Sequence, residues 1–202
     1  MKLIVMTAPT FFVEEDKILT SLFDEGMDSL HLYKPHSSPL YAERLLMLLR
    51  EDDRSKITIH ETFRLKKEYG LRGIHIDDAA TPVPDGYRGR VTRTCDSLDE
   101  ARETKRQCDY VFLNNTFGKT DKDTSAAPLT AEELADGSRR GIIDRRVYAY
   151  GGVTEDNIRM ARELGFGGVV VCDDLWEKFD IHTGTDYKEL MRHFDKLRRL
   201  AS

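Results

Sequence analysis

Hydrophobic positions along the chain alternate between two spacings: short apolar runs rich in β-branched residues, and longer segments with helical periodicity. The first such unit joins an apolar run at residues 2–7 to residues 14–25, where Ile18 and Leu22 fall on one face of a helix. Repeated pairing of a buried strand with an amphipathic helix is typical of a parallel sheet that is covered by helices.

The same unit recurs to the end of the chain. The predicted strands are residues 2–7, 29–33, 56–60, 73–76, 90–95, 110–113, 146–150 and 168–172. The predicted helices are residues 14–25, 40–50, 63–69, 154–164 and 187–200, with two more that begin after Ser97 and Thr130, each at capping-box spacing from a Glu. Short connections and the absence of a linker predict an α/β fold of the (β/α)8 type, a TIM barrel formed as a single domain by residues 1–202.

A doubly wound open sheet is the alternative arrangement of such units. Its glycine-rich phosphate turn normally follows the first strand, whereas residues 8–10 of this chain contain no glycine. The glycines cluster late instead, at Gly151, Gly152 and residues 165–168. Because barrels often bind phosphate after their seventh and eighth strands, this distribution favours the barrel.

Composition narrows the classes of partner. The 202 residues include 31 Lys and Arg against 36 Asp and Glu, which gives a formal net charge of −5. Such a chain lacks the basic stripe expected of a nucleic-acid binder, although backbone amides can still hold small phosphorylated molecules. No apolar stretch approaches the roughly 18 residues of a membrane span. The dispersed cysteines Cys95, Cys108 and Cys172 form no CxxC pair and favour a reducing cytoplasm.

Polar side chains follow almost every predicted strand, at the end where a barrel carries its functional residues. Alternation along the strands directs His31, Tyr33 and His60 into the barrel, while the orientation of His75 stays ambiguous. Histidine titrates near neutral pH and is a candidate acid or base, and carboxylates suit Mg²⁺. The further candidates at strand ends are Glu61, Asp77, Asp78, Thr94, Asp96 and Asp173.

A phosphate site is predicted after the seventh strand. Glycine at positions Gly151 and Gly152 lets backbone N–H groups approach a ligand closely. Thr154 is predicted to start the next helix, whose N-terminus would favour an anion. The connection at residues 114–128 is long for a strand-to-helix loop and contains Lys122, which predicts a binding loop that closes over phosphate.

Five short motifs, in their order and spacing, resemble the thiamine phosphate synthase family, which also includes thiazole tautomerases. They are Gly73-Ile-His-Ile, Ser97-Leu-Asp-Glu-Ala, Asp109-Tyr-Val-Phe-Leu, Ala149-Tyr-Gly-Gly-Val and Gly165-Phe-Gly-Gly-Val-Val-Val. The resemblance implies a TIM barrel that joins hydroxymethylpyrimidine diphosphate to thiazole phosphate in thiamine biosynthesis. The products would be thiamine phosphate and pyrophosphate, with Mg²⁺ as cofactor.

The same resemblance implies roles for residues of this chain. The substrate-binding positions are His31, Tyr33, His60, Thr94 and Lys122, and the phosphate-binding positions are Gly151, Gly152, Cys172 and Asp173. The metal positions are Glu61 and Asp78, with Asp77 as an alternative to Asp78. The chain also departs from the family, since Tyr33 and Pro35 replace diphosphate-binding cations and Asp173 replaces a small serine.

Two other functions stay open. A metal-independent thiazole phosphate tautomerase would use His31, His60 or Asp96 as acid and base. A catalytically degenerate relative would bind a phosphorylated ligand without turnover. In each case we expect small phosphorylated partners, a pyrimidine diphosphate or a thiazole phosphate, and neither nucleic acid nor membrane. The sequence does not fix the oligomeric state, and a homodimer is compatible with it.

Overall fold

The computed structural model describes residues 1–118, 127–178 and 187–202. Parallel strands pair in chain order, and the last strand pairs with the first, so the sheet closes into a barrel. The strands are β1 (Lys2–Met6), β2 (Leu30–Leu32), β3 (Ile57–Ile59), β4 (Gly73–Ile76), β5 (Arg90–Cys95), β6 (Tyr110–Leu113), β7 (Val147–Ala149) and β8 (Gly168–Val171). The predicted TIM barrel is therefore confirmed, with every strand within one residue of its predicted bounds.

Helices follow the strands on the outside of the barrel. Those of the described residues are α1 (Glu15–Asp24), α2 (Pro39–Leu48), α3 (Glu51–Arg54), α4 (Arg64–Glu68), α5 (Leu98–Thr104), α6 (Ala131–Arg139), α7 (Ile158–Glu163), α8 (Asp173–Trp176) and α9 (Lys188–Ala201). None of them combines the length and the apolar character that a membrane span requires. The short helix α8 has no counterpart in the sequence prediction.

The start of α7 differs from its prediction. The helix begins at Ile158 rather than at Thr154. The side chain of Asn157 accepts a hydrogen bond from the Thr154 N–H (3.0 Å) and donates one to the Gly152 carbonyl (2.8 Å). This side-chain bridge satisfies backbone groups that a first helical turn would otherwise use, so residues 153–157 form a turn that continues from the glycines.

Alternate residues of each strand face outward and pack under the helices. Val5, Leu30, Ile57, Ile74 and Val111 are all fully buried in one apolar cluster with helix residues. Helix caps fix where several of the covering helices begin. The hydroxyl of Thr130 accepts from the Glu133 N–H while the Glu133 carboxylate accepts from the Thr130 N–H, which confirms the predicted capping box at α6.

The barrel interior has two unlike halves. On the side of β1 and β6–β8, the inward side chains are apolar or aromatic: Ile4, Met6, Tyr110, Phe112, Tyr148, Tyr150 and Val170. On the side of β2–β5, the inward side chains are polar: His31, Thr58, His60, His75, Thr92 and Thr94, all of them buried. A buried polar group destabilises a protein unless it is hydrogen-bonded, so the polar half depends on internal pairing.

Close approach of backbone to backbone makes Gly167 a sensitive position before β8. A Cβ there would lie 2.0 Å from the Arg145 carbonyl oxygen, and the Gly167 N–H also donates to the Val147 carbonyl at 2.9 Å. We expect Gly167→Ala to lower the free energy of unfolding by at least about 3 kcal/mol, the upper end for overpacking, as measured by urea denaturation.

The matched control is Gly165→Ala, two residues away, where φ is +89° but a Cβ would have room. Its cost is that of a left-handed backbone alone, about 1–2 kcal/mol. Equal losses in the two variants would show that the contact with Arg145 is relieved at little cost.

Candidate active site

Two groups of residues meet at the mouth of the barrel, where the strands end. One is the glycine turn after β7. Gly151 and Gly152 have φ values of +90° and +64°, and a Cβ on Gly152 would lie 2.5 Å from the Gly118 nitrogen. The N–H of Phe117 donates to the Gly151 carbonyl (3.0 Å), so this turn is bonded to the segment after β6. A larger residue at position 152 would force the two segments apart.

A cavity of about 130 Å³ opens beside this turn. Its lining residues are Tyr150, Gly151, Gly152, Val153, Thr154, Val170, Cys172, Asp173, Asp174 and Glu177. Among the described residues, none accepts a hydrogen bond from the N–H of Gly152 or Val153. Consecutive backbone N–H groups in such a turn form an anion-binding concavity. All four predicted phosphate-site residues therefore line one cavity.

Carboxylates on the far wall of the cavity limit what it can accept. Asp174, one of the lining residues, accepts a hydrogen bond from His193 (2.6 Å). Asp173 is exposed at the start of α8. Cys172 also lines the cavity, and its thiol donates to the Thr7 carbonyl (3.6 Å). A phosphate would thus contact backbone N–H groups on one side and face the Asp173 carboxylate on the other.

The second group is a chain of hydrogen bonds through the polar half of the barrel. His60 Nδ1 lies 2.8 Å from a carboxylate oxygen of Asp77, and His60 Nε2 lies 2.9 Å from His31 Nδ1. His31 Nε2 then lies 2.8 Å from the Tyr110 hydroxyl. An ionised Asp77 can only accept a hydrogen bond, so His60 Nδ1–H donates to it. His31 Nδ1–H then donates to His60 Nε2, and the Tyr110 hydroxyl donates to His31 Nε2. The chain links the barrel floor to the mouth.

His75 lies beside this chain and is held by two threonines. Its Nδ1 is 2.8 Å from the Thr92 hydroxyl, and its Nε2 is 2.9 Å from the Thr94 hydroxyl. Because the Thr92 hydroxyl donates to the Ile74 carbonyl, it accepts from His75 Nδ1–H, and Nε2 carries the lone pair. The rings of His60 and His75 stack at 4.1 Å. Thr94, a predicted substrate contact, is thus buried beneath the mouth with its hydroxyl on His75.

Burial determines the protonation states of His31 and Tyr110 in this hydrogen-bond chain. The pKa of His31 is well below its ordinary value because the ring is buried, with smaller contributions from His60 and Arg72. Burial likewise raises the pKa of the Tyr110 phenol. Both groups are therefore neutral at physiological pH. His31, which is fully buried beneath His60, can influence a ligand at the mouth only through His60.

The carboxylates predicted to hold Mg²⁺ are arranged differently from one another. Glu61 and Asp77 follow the adjacent strands β3 and β4, and the pKa of Glu61 is raised by burial and, to a smaller extent, by the charge of Asp77. Asp78 instead caps its own loop, because its oxygens accept from the N–H groups of Ala80 and Thr81 and from the Thr81 hydroxyl. Both oxygens of Asp78 are thus engaged within its own loop, whereas one oxygen of Asp77 accepts a hydrogen bond from His60.

The remaining predicted site residues lie partly at the mouth of the barrel and partly away from it. The Tyr33 ring lies 4.9 Å from the His60 ring, so these two aromatic groups share the mouth. Lys34, the cation nearest to the altered positions, is buried in an ion pair with Glu15 (2.5 Å) and is committed there. Asp96 is exposed and accepts a hydrogen bond from Asn114, so it lacks the burial that its acid–base role would need. Lys122 lies outside the described residues.

Two residues in the polar half of the barrel, His75 and Asp77, were not among the main site residues that the sequence predicts. The alternation of β4 could have found them. Ile74 and Ile76 are apolar and face the helices, so His75 and Asp77 must face the barrel interior and its mouth. The same alternation in β6 turns Tyr110 inward.

Loss of the hydroxyl at the floor of the chain tests the hydrogen-bond network. Tyr110→Phe leaves His31 Nε2 buried without its partner, and we expect the free energy of unfolding to fall by about 1–3 kcal/mol. The control is Tyr148→Phe, because that ring stacks on Tyr110 at 4.4 Å but its hydroxyl bonds to no described residue. Chemical denaturation that finds equal effects would contradict the assigned bond.

Acid should unfold the protein partly through His31. Below about pH 6.5 the unfolded chain protonates this ring and the folded chain does not, so stability falls by up to about 1.4 kcal/mol per pH unit until the lowered folded-state pKa is reached. We expect His31→Gln to show a shallower loss of stability between pH 7 and pH 5 than the parent protein. Parallel stability curves for the two proteins would refute a neutral, buried His31.

Comparison with known proteins identifies a matching family and several similar structures. A family model described as thiamine monophosphate synthase matches residues 18–175. A crystal structure of thiamine phosphate pyrophosphorylase from Bacteroides thetaiotaomicron is 46% identical, with a TM-score of 0.89, covering 100% of this chain and 98% of that one. The thiamine phosphate pyrophosphorylase from Pyrococcus furiosus shares the fold at 17% identity, with a TM-score of 0.69 and coverage of 99% and 95%.

A 3-hexulose-6-phosphate synthase also shares the fold, at 12% identity with a TM-score of 0.65 and complete coverage of both chains. No curated protein sequence matches the chain. The family match spans most of the barrel and agrees with the relative that is 46% identical over the whole chain. The protein therefore belongs to the thiamine monophosphate synthase family.

Proposed function

We propose that the protein is a transferase that joins hydroxymethylpyrimidine diphosphate to thiazole phosphate, giving thiamine phosphate and pyrophosphate. Family membership supports the reaction class. The observation that carries the proposal is the cavity at the glycine turn, where Gly152 and Val153 present backbone N–H groups. The thiazole phosphate would bind there, since such groups hold a phosphate without a cationic side chain.

The pyrimidine would bind on the opposite side of the mouth. Tyr33 and His60 place two aromatic rings there, 4.9 Å apart and inclined by 47°. A flat heterocycle can pack against such rings, and Asp77 holds the His60 ring in place through the hydrogen bond to Nδ1. The pyrimidine would thus meet a surface whose orientation is fixed from below.

Glu61 and Asp77 fit Mg²⁺ better than Glu61 and Asp78 do. The charge of Asp77 contributes to the raised pKa of Glu61, a divalent cation would offset such repulsion between carboxylates, and Mg²⁺ prefers oxygen ligands. When bound, Mg²⁺ would neutralise part of the charge on the diphosphate. Tyr33 and Pro35 stand where the family has cations. The negative charge of the diphosphate would therefore be offset by Mg²⁺ held on the two carboxylates and by Lys122.

The reaction itself asks for no proton transfer at the reacting atoms. The thiazole ring nitrogen supplies the electron pair of the new C–N bond, and pyrophosphate leaves with the bonding electrons of the C–O bond that breaks. The protein's task is therefore to position two substrates and to stabilise the leaving group. A neutral, buried His31 is compatible with this task.

A thiazole phosphate tautomerase is the second candidate, and one observation favours it. His60 is bonded to the Asp77 carboxylate at the mouth, and an oriented histidine of this kind is a typical general acid or base. This reaction would use the same phosphate turn but neither Mg²⁺ nor a diphosphate.

The decisive experiment supplies both phosphorylated substrates with Mg²⁺ and measures thiamine phosphate and pyrophosphate. We expect equal amounts of the two products. Their absence at every Mg²⁺ concentration would overturn the transferase, and metal-independent exchange of solvent deuterium into thiazole phosphate would then favour the tautomerase. Binding without either reaction would identify a catalytically degenerate relative.

Substitution in the phosphate turn tests where the thiazole phosphate binds. In the same assay, Gly152→Ala is expected to raise the KM for thiazole phosphate about tenfold or more, equivalent to about 1.4 kcal/mol or more, because its Cβ would displace the turn. The control is Gly70→Ala, another glycine with positive φ (+65°) but with open space around its Cβ. An unchanged KM in Gly152→Ala would contradict the assigned phosphate site.

A further inference from the structure

We propose that the polar half of the barrel interior is a binding site for one divalent transition metal ion, with His31, His60 and His75 as its protein ligands. One ring nitrogen from each of the three lies within 4.8 Å of the others. This site lies beneath the carboxylate site proposed for Mg²⁺, contacts it through Asp77, and differs from it in chemistry. Imidazole ligands suit Zn²⁺, Co²⁺ or Ni²⁺, whereas Mg²⁺ prefers oxygen.

The three nitrogens are close enough for such a site once the His75 ring turns toward the other two. Zn²⁺ binds histidine nitrogens at about 2.0–2.1 Å, which places neighbouring nitrogens of a tetrahedral site about 3.4 Å apart. His31 Nδ1 and His60 Nε2 are 2.9 Å apart and would separate slightly. His75 would need to turn from its stacked position beside His60, where the two rings are inclined by 22°. Ligation through His75 Nε2 would replace its hydrogen bond to the Thr94 hydroxyl, which can donate to or accept from another group.

Each histidine is already held from behind, as metal-binding histidines usually are. Such ligands hydrogen-bond through their second nitrogen to a carboxylate, a carbonyl or a similar group, which fixes the ring. Here Asp77 holds His60 Nδ1 and Thr92 holds His75 Nδ1. Because Nδ1 of each ring carries the proton in these bonds, Nε2 of His60 and Nε2 of His75 each carry a lone pair. Two of the three ligands are therefore present in the tautomer that binds a metal.

The third ligand, His31, reaches the same state by moving its proton within the ring. In the hydrogen-bond chain its Nδ1 donates to His60, so ligation requires the proton to sit on Nε2 and to point at the Tyr110 oxygen. The Tyr110 hydroxyl must then donate elsewhere. Thr58 lies beside His31 in the register of β2 and β3, and its buried hydroxyl oxygen has no hydrogen-bond partner among the described residues. We assign it as the acceptor for Tyr110 in the metal-bound state.

Charge and access also favour a cation. The three ligands are neutral imidazoles, and the Asp77 carboxylate, 3.8 Å from His75 Nε2, supplies a nearby negative charge. The Asp77 side chain is about one-third exposed (31%), so it connects the buried rings to the solvent at the mouth. Glu61 beside it adds a second carboxylate along the route of entry.

Cobalt reports directly on such a site. The full-length protein, first treated with chelator, would be titrated with Co²⁺ and followed by visible absorption. We expect the intense bands of four- or five-coordinate cobalt, saturating at about one ion per chain and lost on addition of Zn²⁺. A folded protein that gives only the weak spectrum of hydrated cobalt would overturn the proposal.

Two substitutions separate the buried site from surface binding. His75→Gln is expected to weaken Co²⁺ binding by at least about a hundredfold, since even changes to second-shell partners cost 10–100-fold. The control is His36→Asn, an exposed histidine with φ +63°, a conformation that asparagine tolerates. Equal weakening in both variants would overturn the proposal.

X-ray absorption at the zinc edge of the parent protein gives an independent answer should His75→Gln fail to fold. We expect scattering from three imidazole rings, and a shell of oxygen ligands would refute the site. Magnesium supports none of these signals, so failure of the metal proposal is distinguishable from failure of the transferase, which is assayed with Mg²⁺ alone.

Discussion

Hydrogen bonding among buried histidines and hydroxyls is the interaction on which the rest of the barrel depends. Three imidazoles occupy the space that apolar side chains usually fill in a barrel of this kind, and each ring nitrogen has to find a partner there. The bonds from Tyr110 through His31 and His60 to Asp77 satisfy this demand in one directional chain. Because the chain ends on a carboxylate, its polarity is defined, and so is the tautomer of each ring.

The chain of hydrogen bonds also fixes the side chains that a ligand would meet at the mouth of the barrel. Glu61 and Asp77 follow the adjacent strands β3 and β4, whereas the phosphate turn follows β7. In an eight-stranded barrel closed in chain order these positions lie on opposite sides. The proposed two-substrate reaction would use this separation, because the thiazole phosphate and the diphosphate with its cation would bind to different walls of the mouth. The reacting atoms would then meet over the rings of Tyr33 and His60.

The sequence predicts the barrel well because strand periodicity and late glycines are local signals. The strands of the described residues agree with their predicted bounds, and the glycine turn lies where the spacing suggested. Local signals fail where side chains redirect the backbone, as Asn157 does by delaying α7. They also cannot show that Asp78 caps its own loop while Asp77 turns toward His60, since adjacent carboxylates look alike in a sequence.

The buried pair of Lys34 and Glu15 constrains how this protein can change over time. Both side chains are almost completely buried, and burial lowers the pKa of Lys34 while it raises that of Glu15. Removing one partner of a buried pair costs about 3–5 kcal/mol, which is a large part of the stability of a typical domain. A lineage that needed a cation at the mouth could not simply redirect Lys34. Glu15 would have to be replaced first or at the same time, so the order of mutations, and not only their final effect, governs which binding sites this barrel can reach.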